Sequence, residues 1–420
     1  MLKKEQIIIV SETVEVLEYA YLNIAGNVNV VGIISNSIKE NKFNLPVYDM
    51  DWLLNQDLEN ILIVIADNNE MNNVIKKLLS HDLQLIRNWI PYWMYNSCEI
   101  SPEKMFNLVG GNKDRFKQAI LEIKKTRQLV MIHGNCQTHG IRYYLKQNEE
   151  FADKYILIEM PQLWNLGHKT KYEQLLDLNI YSYVDILITQ IISPNNRFGE
   201  YLATEYVTSL VDSTCRVIKI ANLFFDGYYP QFKNFKKLDE ITINKYLNQE
   251  GLKNYNGLID YVVAEKVIEG KNVEEIIKYI MDEDIFDRKW LYDYIFDGIA
   301  YSKQKEEECD IKMCEYIECK LNDAILFTTN AHPCENLMVE LCSRILGRLG
   351  IQENLVCLDG NMFAIGIPST ERFPIYPAIY KSLNLNDICN GLLYKLPNGK
   401  KVNFREYMTV YIKTVFPNAR

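Results

Sequence analysis

No Cys-x-x-Cys pair occurs among the ten cysteines of this 420-residue chain. That argues against a paired zinc knuckle or a dithiol redox motif, and it points to free thiols in a reducing compartment. Cys309, Cys314 and Cys319 are spaced by five. On a helix that spacing turns each about 140° from the last, so they share no face and no metal is expected. No apolar run approaches the ~20 residues of a membrane span. The run Gln6–Val10 is too short for the core of a signal peptide. A cytoplasmic protein without a transmembrane segment is expected. The net charge is −9, so the broad basic face of a nucleic-acid binder is missing. A local basic pocket for a phosphorylated ligand is compatible with that charge. Internal repeats and long low-complexity linkers are also absent.

What is present is an ordinary globular composition, 48% hydrophobic and 24% charged, long enough for two or three domains. The 28 tyrosines suit sugar-binding surfaces, although a chain rich in Tyr and Asn also follows from an AT-rich coding sequence. Up to about residue 100, strand and helix signals alternate: strands at Ile7 to Val10, Val28 to Ser35, Ile61 to Ala66 and Leu83 to Trp89, with helices between. Parallel strands need such crossover helices, so a small open sheet is expected. Its first turn lacks every glycine of the dinucleotide-binding fingerprint. It reads Val10-Ser11-Glu12-Thr13-Val14-Glu15, and two acids there repel phosphate. The segment resembles the degenerate nucleotide-fold modules attached to bacterial sugar-modifying enzymes. Residues 101–127 read as a connecting helical segment.

A second α/β unit, 128–420, starts at Leu129. Its strands are Leu129 to Ile132, Tyr155 to Met160, Val184 to Ile191, Arg216 to Ile220 and, last, Ala324 to Thr328. A charged helical stretch, 232–322, reads as an insertion or lid. The expected fold is therefore α/β, two doubly wound parallel-sheet units, the second with a helical insertion. The pentapeptide His133-Gly134-Asn135-Cys136-Gln137 sits between the first of these strands and a helix. A thiol at a helix start meets free N–H groups and positive potential, so Cys136 is expected to lose its proton readily. The same N–H groups could hold an oxyanion. His332 follows the last strand, in Asn330-Ala331-His332-Pro333. Ligands of doubly wound sheets bind at strand carboxyl ends, so Cys136 and His332 are expected to meet there.

Cysteine after the first strand and histidine before a late helix resemble the SGNH hydrolase and acyltransferase layout, with Cys in place of Ser. The pattern is closer still to the WcbI-type polysaccharide biosynthesis family, whose members carry Gly-Asn-Cys-Gln and a late Asn-His-Pro. Here Gly134-Asn135-Cys136-Gln137 is intact, and Ala331 is inserted between Asn330 and His332. The strand Ile186 to Ser193, the stretch Phe225-Asp226-Gly227-Tyr228-Tyr229-Pro230 and Cys309-Asp310-Ile311 add to the likeness. The resemblance covers about residues 128 to 385. It implies an SGNH-like second unit, coenzyme A or acetyl-coenzyme A as acyl donor, and a sugar of a capsular or other surface polysaccharide as acceptor. It implies acetyl transfer as the reaction.

Acyl transfer agrees with the residue chemistry. Cys136 would accept the acyl group and His332 would act as base, with Asn135 and the amides near Gln137 at the oxyanion. The Asp expected three positions before the histidine is Thr329, so Asn330 is the candidate to orient His332. Gly134, Gln137, Arg142, Gln190, Ser193 and Arg197 are expected to bind the cofactor, and no metal is involved. His133 and His139 are rival bases. Two other readings are a thiol-dependent esterase or thioesterase and a non-catalytic coenzyme A or glycan-binding module. Homo-oligomerisation is left open.

Overall fold

β-Branched runs dictate the strands. Ile, Val and Leu follow one another without alternation, as strands covered on both faces require. The computed structural model describes residues 6–26, 28–67, 71–95, 97–160, 169–196, 199–357, 372–389 and 391–419. Its first sheet contains β1 (Gln6–Val10), β2 (Asn29–Ile34), β3 (Val47–Tyr48), β4 (Ile61–Ile65) and β5 (Trp89–Pro91), in the order β3-β2-β1-β4-β5 and all parallel. The expected strand from Leu83 to Trp89 is corrected. Asp82 and Ile86 take positive φ, 57° and 70°, which an extended strand cannot accommodate. The strand begins only at Trp89.

The second sheet contains β6 (Glu99–Ile100), β7 (Gln128–His133), β8 (Tyr155–Ile158), β9 (Ile186–Gln190) and β10 (Arg216–Ile220), in the order β10-β9-β7-β8-β6. The pairs β6–β8, β7–β8 and β7–β9 are parallel. From β7 the chain moves to β8 on one side. From β9 it moves to β10 on the other. That reversal falls at the carboxyl ends of β7 and β9, the place where ligands of such sheets bind.

The expected last strand does not join this sheet. β11 (Phe327–Thr329) pairs antiparallel with β12 (His332–Pro333) in a hairpin of its own. His332 therefore lies on the return strand of that hairpin and not at the end of a parallel strand. Contacts divide the chain into one unit of residues 1–135 and 145–218 and a second of 136–144 and 219–420. This division differs from the expected borders at 100 and 128, and β6 already takes residues 99–100 into the second sheet. Residues 232–322 are helical over most of their length, as expected. They belong to the same unit as the 327–333 hairpin.

In the first unit, Glu12 occupies the turn after β1 where a nucleotide fold cradles phosphate. Its carboxylate accepts hydrogen bonds from the N–H groups of Asn36 (3.0 Å) and Ser37 (2.9 Å) and from Ser35 Oγ (3.0 Å). Burial alone would raise its pKa, but these donors outweigh it and hold the carboxyl below the usual range. An internal anion thus sits at the turn where a phosphate would lie, held in place by donors after β2, and repels it. Titration of the full chain with NAD is expected to show no saturable binding, and micromolar affinity would contradict this. Glu12→Gln should cost about 1 kcal/mol in urea unfolding. Because the folded carboxyl titrates lower than an unfolded Glu (about 4.3), this contribution is present above that pH. It should vanish as pH falls through the folded value.

Candidate functional site

Gly134 and Asn135, the last residues of the first unit before Cys136, are fixed within that unit. Gly134 is buried in the bend after β7. The Asn135 N–H donates to Gln190 Oε1 at 2.8 Å, and Gln190 is buried at the end of β9. Thr204 Oγ1 donates to the Gln190 carbonyl at 2.7 Å. Gln190 therefore holds the backbone of the turn. Ser193 is exposed, and its Oγ accepts the Asn195 N–H at 3.2 Å within a local turn. Arg197 lies outside the described residues. The rival base His133 is 1% exposed. Its Nε2 faces the Leu202 carbonyl at 2.9 Å, and burial pulls its pKa down to about 4. No reactant reaches it there.

Cys136 opens the second unit, half-buried at the start of the helix Gln137–Leu145. Burial pushes its thiol above the ordinary value, and hydrogen bonds from the Cys136 and Gln137 N–H groups only partly oppose this. The expectation of a readily ionised thiol is thereby corrected. The helix start supplies its donors, but desolvation of the anion is the larger effect. His139 is half-buried two residues into the same helix, and Arg142 is half-buried in its last turn.

Gln137 is fully buried, and its carboxamide joins three segments. Nε2 donates to the Leu223 carbonyl at 2.6 Å and to the Ala331 carbonyl at 2.9 Å. Oε1 accepts the Leu223 N–H at 3.1 Å. The residue after Cys136 is thus bonded to the residue before His332, across 194 positions of sequence. The side chain expected to hold a cofactor is taken up by the backbone instead. The inserted Ala331 has a structural use. With it, the hairpin turn presents two carbonyls, Ala331 to Gln137 and Asn330 to the Phe225 N–H at 2.8 Å.

His332 is half-buried, and burial lowers its pKa below the ordinary value. Its Nδ1 lies 2.9 Å from Thr329 Oγ1. The ring nitrogen is thus partnered by Thr329, at the position where the SGNH layout puts Asp, while Asn330 gives its carbonyl to the Phe225 N–H. Thr329 is buried, and its oxygen also accepts the Ala331 N–H at 3.3 Å. Thr328 Oγ1 donates to the His332 carbonyl at 3.2 Å. The hairpin is anchored further by Tyr229, whose hydroxyl donates to the Phe327 carbonyl at 3.1 Å. Gly227 leaves room for this packing, since a Cβ there would stand 2.3 Å from the Phe225 ring.

Thr329, Leu223 and Phe225 were not singled out as site residues from sequence. Thr329 had a signal, the three-residue spacing to His332. Leu223 and Phe225 act through backbone groups, which no side-chain motif announces. Among the described residues, no cluster of His, Cys, Asp and Glu could hold a metal. No helix among them is long and apolar enough to cross a membrane.

The fold and the Cys136–Gln137–His332 arrangement define an α/β protein with a thiol and an imidazole on segments joined by one carboxamide. The sequence profile of the polysaccharide biosynthesis enzyme WcbI matches residues 129–354, and the chain belongs to that family. A solved structure of WcbI, described as a novel polysaccharide biosynthesis enzyme in its native form without a disulfide bond between coenzyme A and a cysteine, shares the fold. Its TM-score is 0.52 at 17% identity, covering 69% of this chain and 89% of that one. No curated protein matches the chain.

Removing the carboxamide would leave the buried N–H and carbonyl of Leu223 and the half-buried carbonyl of Ala331 without this partner. Gln137→Leu should destabilise the protein by about 3–6 kcal/mol, a large part of a total of about 5–15. Urea denaturation measures it. A loss under about 1 kcal/mol would show that the carboxamide does not hold these segments together.

Proposed function

We propose that this protein is a coenzyme A-dependent O-acyltransferase, acetyl transfer being its reaction, and that it acts on a sugar of a capsular or other surface polysaccharide. The observation that carries the reading is the hydrogen bond from Gln137 to Ala331, which ties the residue after Cys136 to the residue before His332. Family membership supports a sugar substrate, and the solved relative is described in connection with coenzyme A. The catalytic part is assigned to 128–420, in a reducing cytoplasm that keeps Cys136 free.

The donor set fits the thioester end of coenzyme A: a half-buried thiol beside the N–H groups of a helix start. Arg142 is the candidate for its phosphates. When bound, coenzyme A supplies the acyl group as a thioester. Cys136 and His332 both rest neutral at pH 7, the thiol by its raised pKa and the imidazole by its lowered one. A thiol–imidazole pair of this kind needs no stored ion pair. His332 would take the Cys136 proton as the sulfur attacks the acyl carbon, the N–H groups of Cys136 and Gln137 would stabilise the oxyanion, and the imidazolium would hand that proton to the coenzyme A sulfur as its bond to the acyl carbon breaks. The acyl group then rests on sulfur, a thioester exchanged for a thioester. His332 would next take the proton of the sugar hydroxyl that attacks the acyl-Cys136 carbonyl and return it to the Cys136 sulfur as the carbon–sulfur bond breaks. For both steps Nδ1–H donates to Thr329 Oγ1 and Nε2 carries the free lone pair. A neutral hydroxyl orients the ring but adds no charge to stabilise imidazolium, unlike a carboxylate.

Cys136→Ala and His332→Ala should each lower acetyl transfer to a glycan acceptor by about 10²–10⁴, and the double variant should add little. Near-full activity of Cys136→Ala would exclude the nucleophile role. Thr329→Val should cost about tenfold or less, one neutral hydrogen bond. The rate should fall as pH drops through the His332 pKa, below the usual ~6.5, and stay level through neutral pH. A rate that climbs steadily to alkaline pH would instead report a thiolate formed before the reaction.

A further inference from the structure

Away from Cys136, the helical stretch of the second unit encloses a cavity of about 260 Å³. It lies among the segment 233–238 and the helices Tyr261–Ile268, Val273–Ile280 and Arg288–Lys305. We propose that this cavity, walled by Phe235, Tyr279, Phe286 and Trp290, is a subsite for one neutral pyranose unit of the glycan acceptor. The inference rests on the reading that the acceptor is a sugar and says where part of it binds.

The first argument is the aromatic wall. Phe235 and Tyr279 keep 50% and 39% of their surface exposed, and both border the cavity. They are backed by a fixed cluster. Trp290 stacks on Tyr294 at 5.6 Å and 9°, takes the edge of Phe235 at 5.2 Å, and contacts Phe286 at 5.4 Å. Phe286 in turn stacks on Tyr376 at 6.2 Å. The Lys266 ammonium sits 4.6 Å from the Tyr279 ring centre. Rings already held in place lose little freedom when a ligand covers them. The C–H face of a pyranose is a flat apolar surface of this size.

The second argument is charge. Two lysines and two acids border the cavity, Lys233, Lys236, Glu265 and Asp287, and each has a counterpart within the protein. Lys236 pairs with Glu265, and Lys233 pairs with Asp226 at 2.8 Å. Asp287 accepts the Trp290 N–H at 2.8 Å as the cap of its helix. A phosphate would find no uncompensated cation here. A lipid chain would have to desolvate these ion pairs. Neutral hydroxyls, which both donate and accept, suit paired ammonium and carboxylate groups at the rim of an aromatic floor. The volume lies just under the ~300–1,000 Å³ of drug-sized sites, which suits a single sugar unit.

The third argument is continuity. Leu223 is bonded to Gln137, Phe225 to Asn330, and Asp226 to Lys233 on the cavity wall. The same short segment therefore runs from the Cys136–His332 clamp to the subsite. A polymeric acceptor can occupy a site of this kind while another of its hydroxyls reacts.

The test uses the full chain and neutral methyl glycosides of glucose, galactose and N-acetylglucosamine, with binding read by saturation-transfer NMR and Trp fluorescence. Coenzyme A binding is followed separately by thermal shift. The wild type should bind at least one glycoside. Phe235→Ala, at an exposed position that should fold normally, should weaken it roughly threefold to tenfold, the worth of one aromatic contact, and leave the coenzyme A shift unchanged. Trp290→Phe should keep binding and lose the fluorescence response. Binding unaffected by Phe235→Ala would overturn the subsite. So would the absence of binding by every glycoside, or stronger binding of inorganic phosphate at the same residues. If glycosides bind as described and coenzyme A gives no shift, the subsite stands and the acyltransfer reading fails.

Discussion

The buried carboxamide of Gln137 is the constraint from which the site follows. One side chain answers three backbone groups, two on Leu223 and one on Ala331. The two on buried Leu223 would otherwise go unpaired at about 1–3 kcal/mol apiece, and the one on half-buried Ala331 would cost less. The helix behind Cys136, the segment leading to Phe225 and the hairpin of His332 thus cannot move independently. Glutamine suits this place because its amide donates twice and accepts twice. Leucine fills the volume and satisfies none of these groups, and glutamate lacks the donors.

Electrostatics then decides what kind of thiol chemistry the site supports. A helix start favours thiolate, and burial disfavours it. At Cys136 burial has the larger effect, and at His332 it keeps the imidazole neutral. In the proposed mechanism this favours proton transfer during attack over a standing ion pair. Thr329 fits the same logic. A carboxylate in its place would raise the His332 pKa and favour imidazolium, whereas a hydroxyl orients the ring and leaves its proton affinity low.

Much of this was legible in the sequence where short-range pattern carries the information. The apolar runs of β1, β2, β4 and β7 to β10 announced two parallel sheets, and Gly134-Asn135-Cys136-Gln137 announced the turn. The parts that were not legible depend on long-range pairing. Nothing local distinguishes Phe327–Thr329 as half of a private hairpin from a sixth strand of the large sheet. Of the two positive-φ residues that delay β5, Asp82 precedes and Ile86 interrupts an otherwise strand-like run, Leu83 to Trp89. Gln137 and Gln190 read as ligand-facing polar residues because a sequence does not reveal which buried backbone groups need a partner. The Thr329–His332 contact matches the three-residue spacing, whereas the choice of Asn330 weighed side-chain type.

The most direct measurement is intact-protein and peptide mass spectrometry after rapid mixing with acetyl-coenzyme A, without acceptor. The account predicts one acetyl group on Cys136, formed quickly in the wild type, far more slowly in His332→Ala, and discharged when glycan is added. Transfer to glycan at the wild-type rate with no acetyl ever found on Cys136, or acetylation of Cys136 at the same rate without His332, would contradict it.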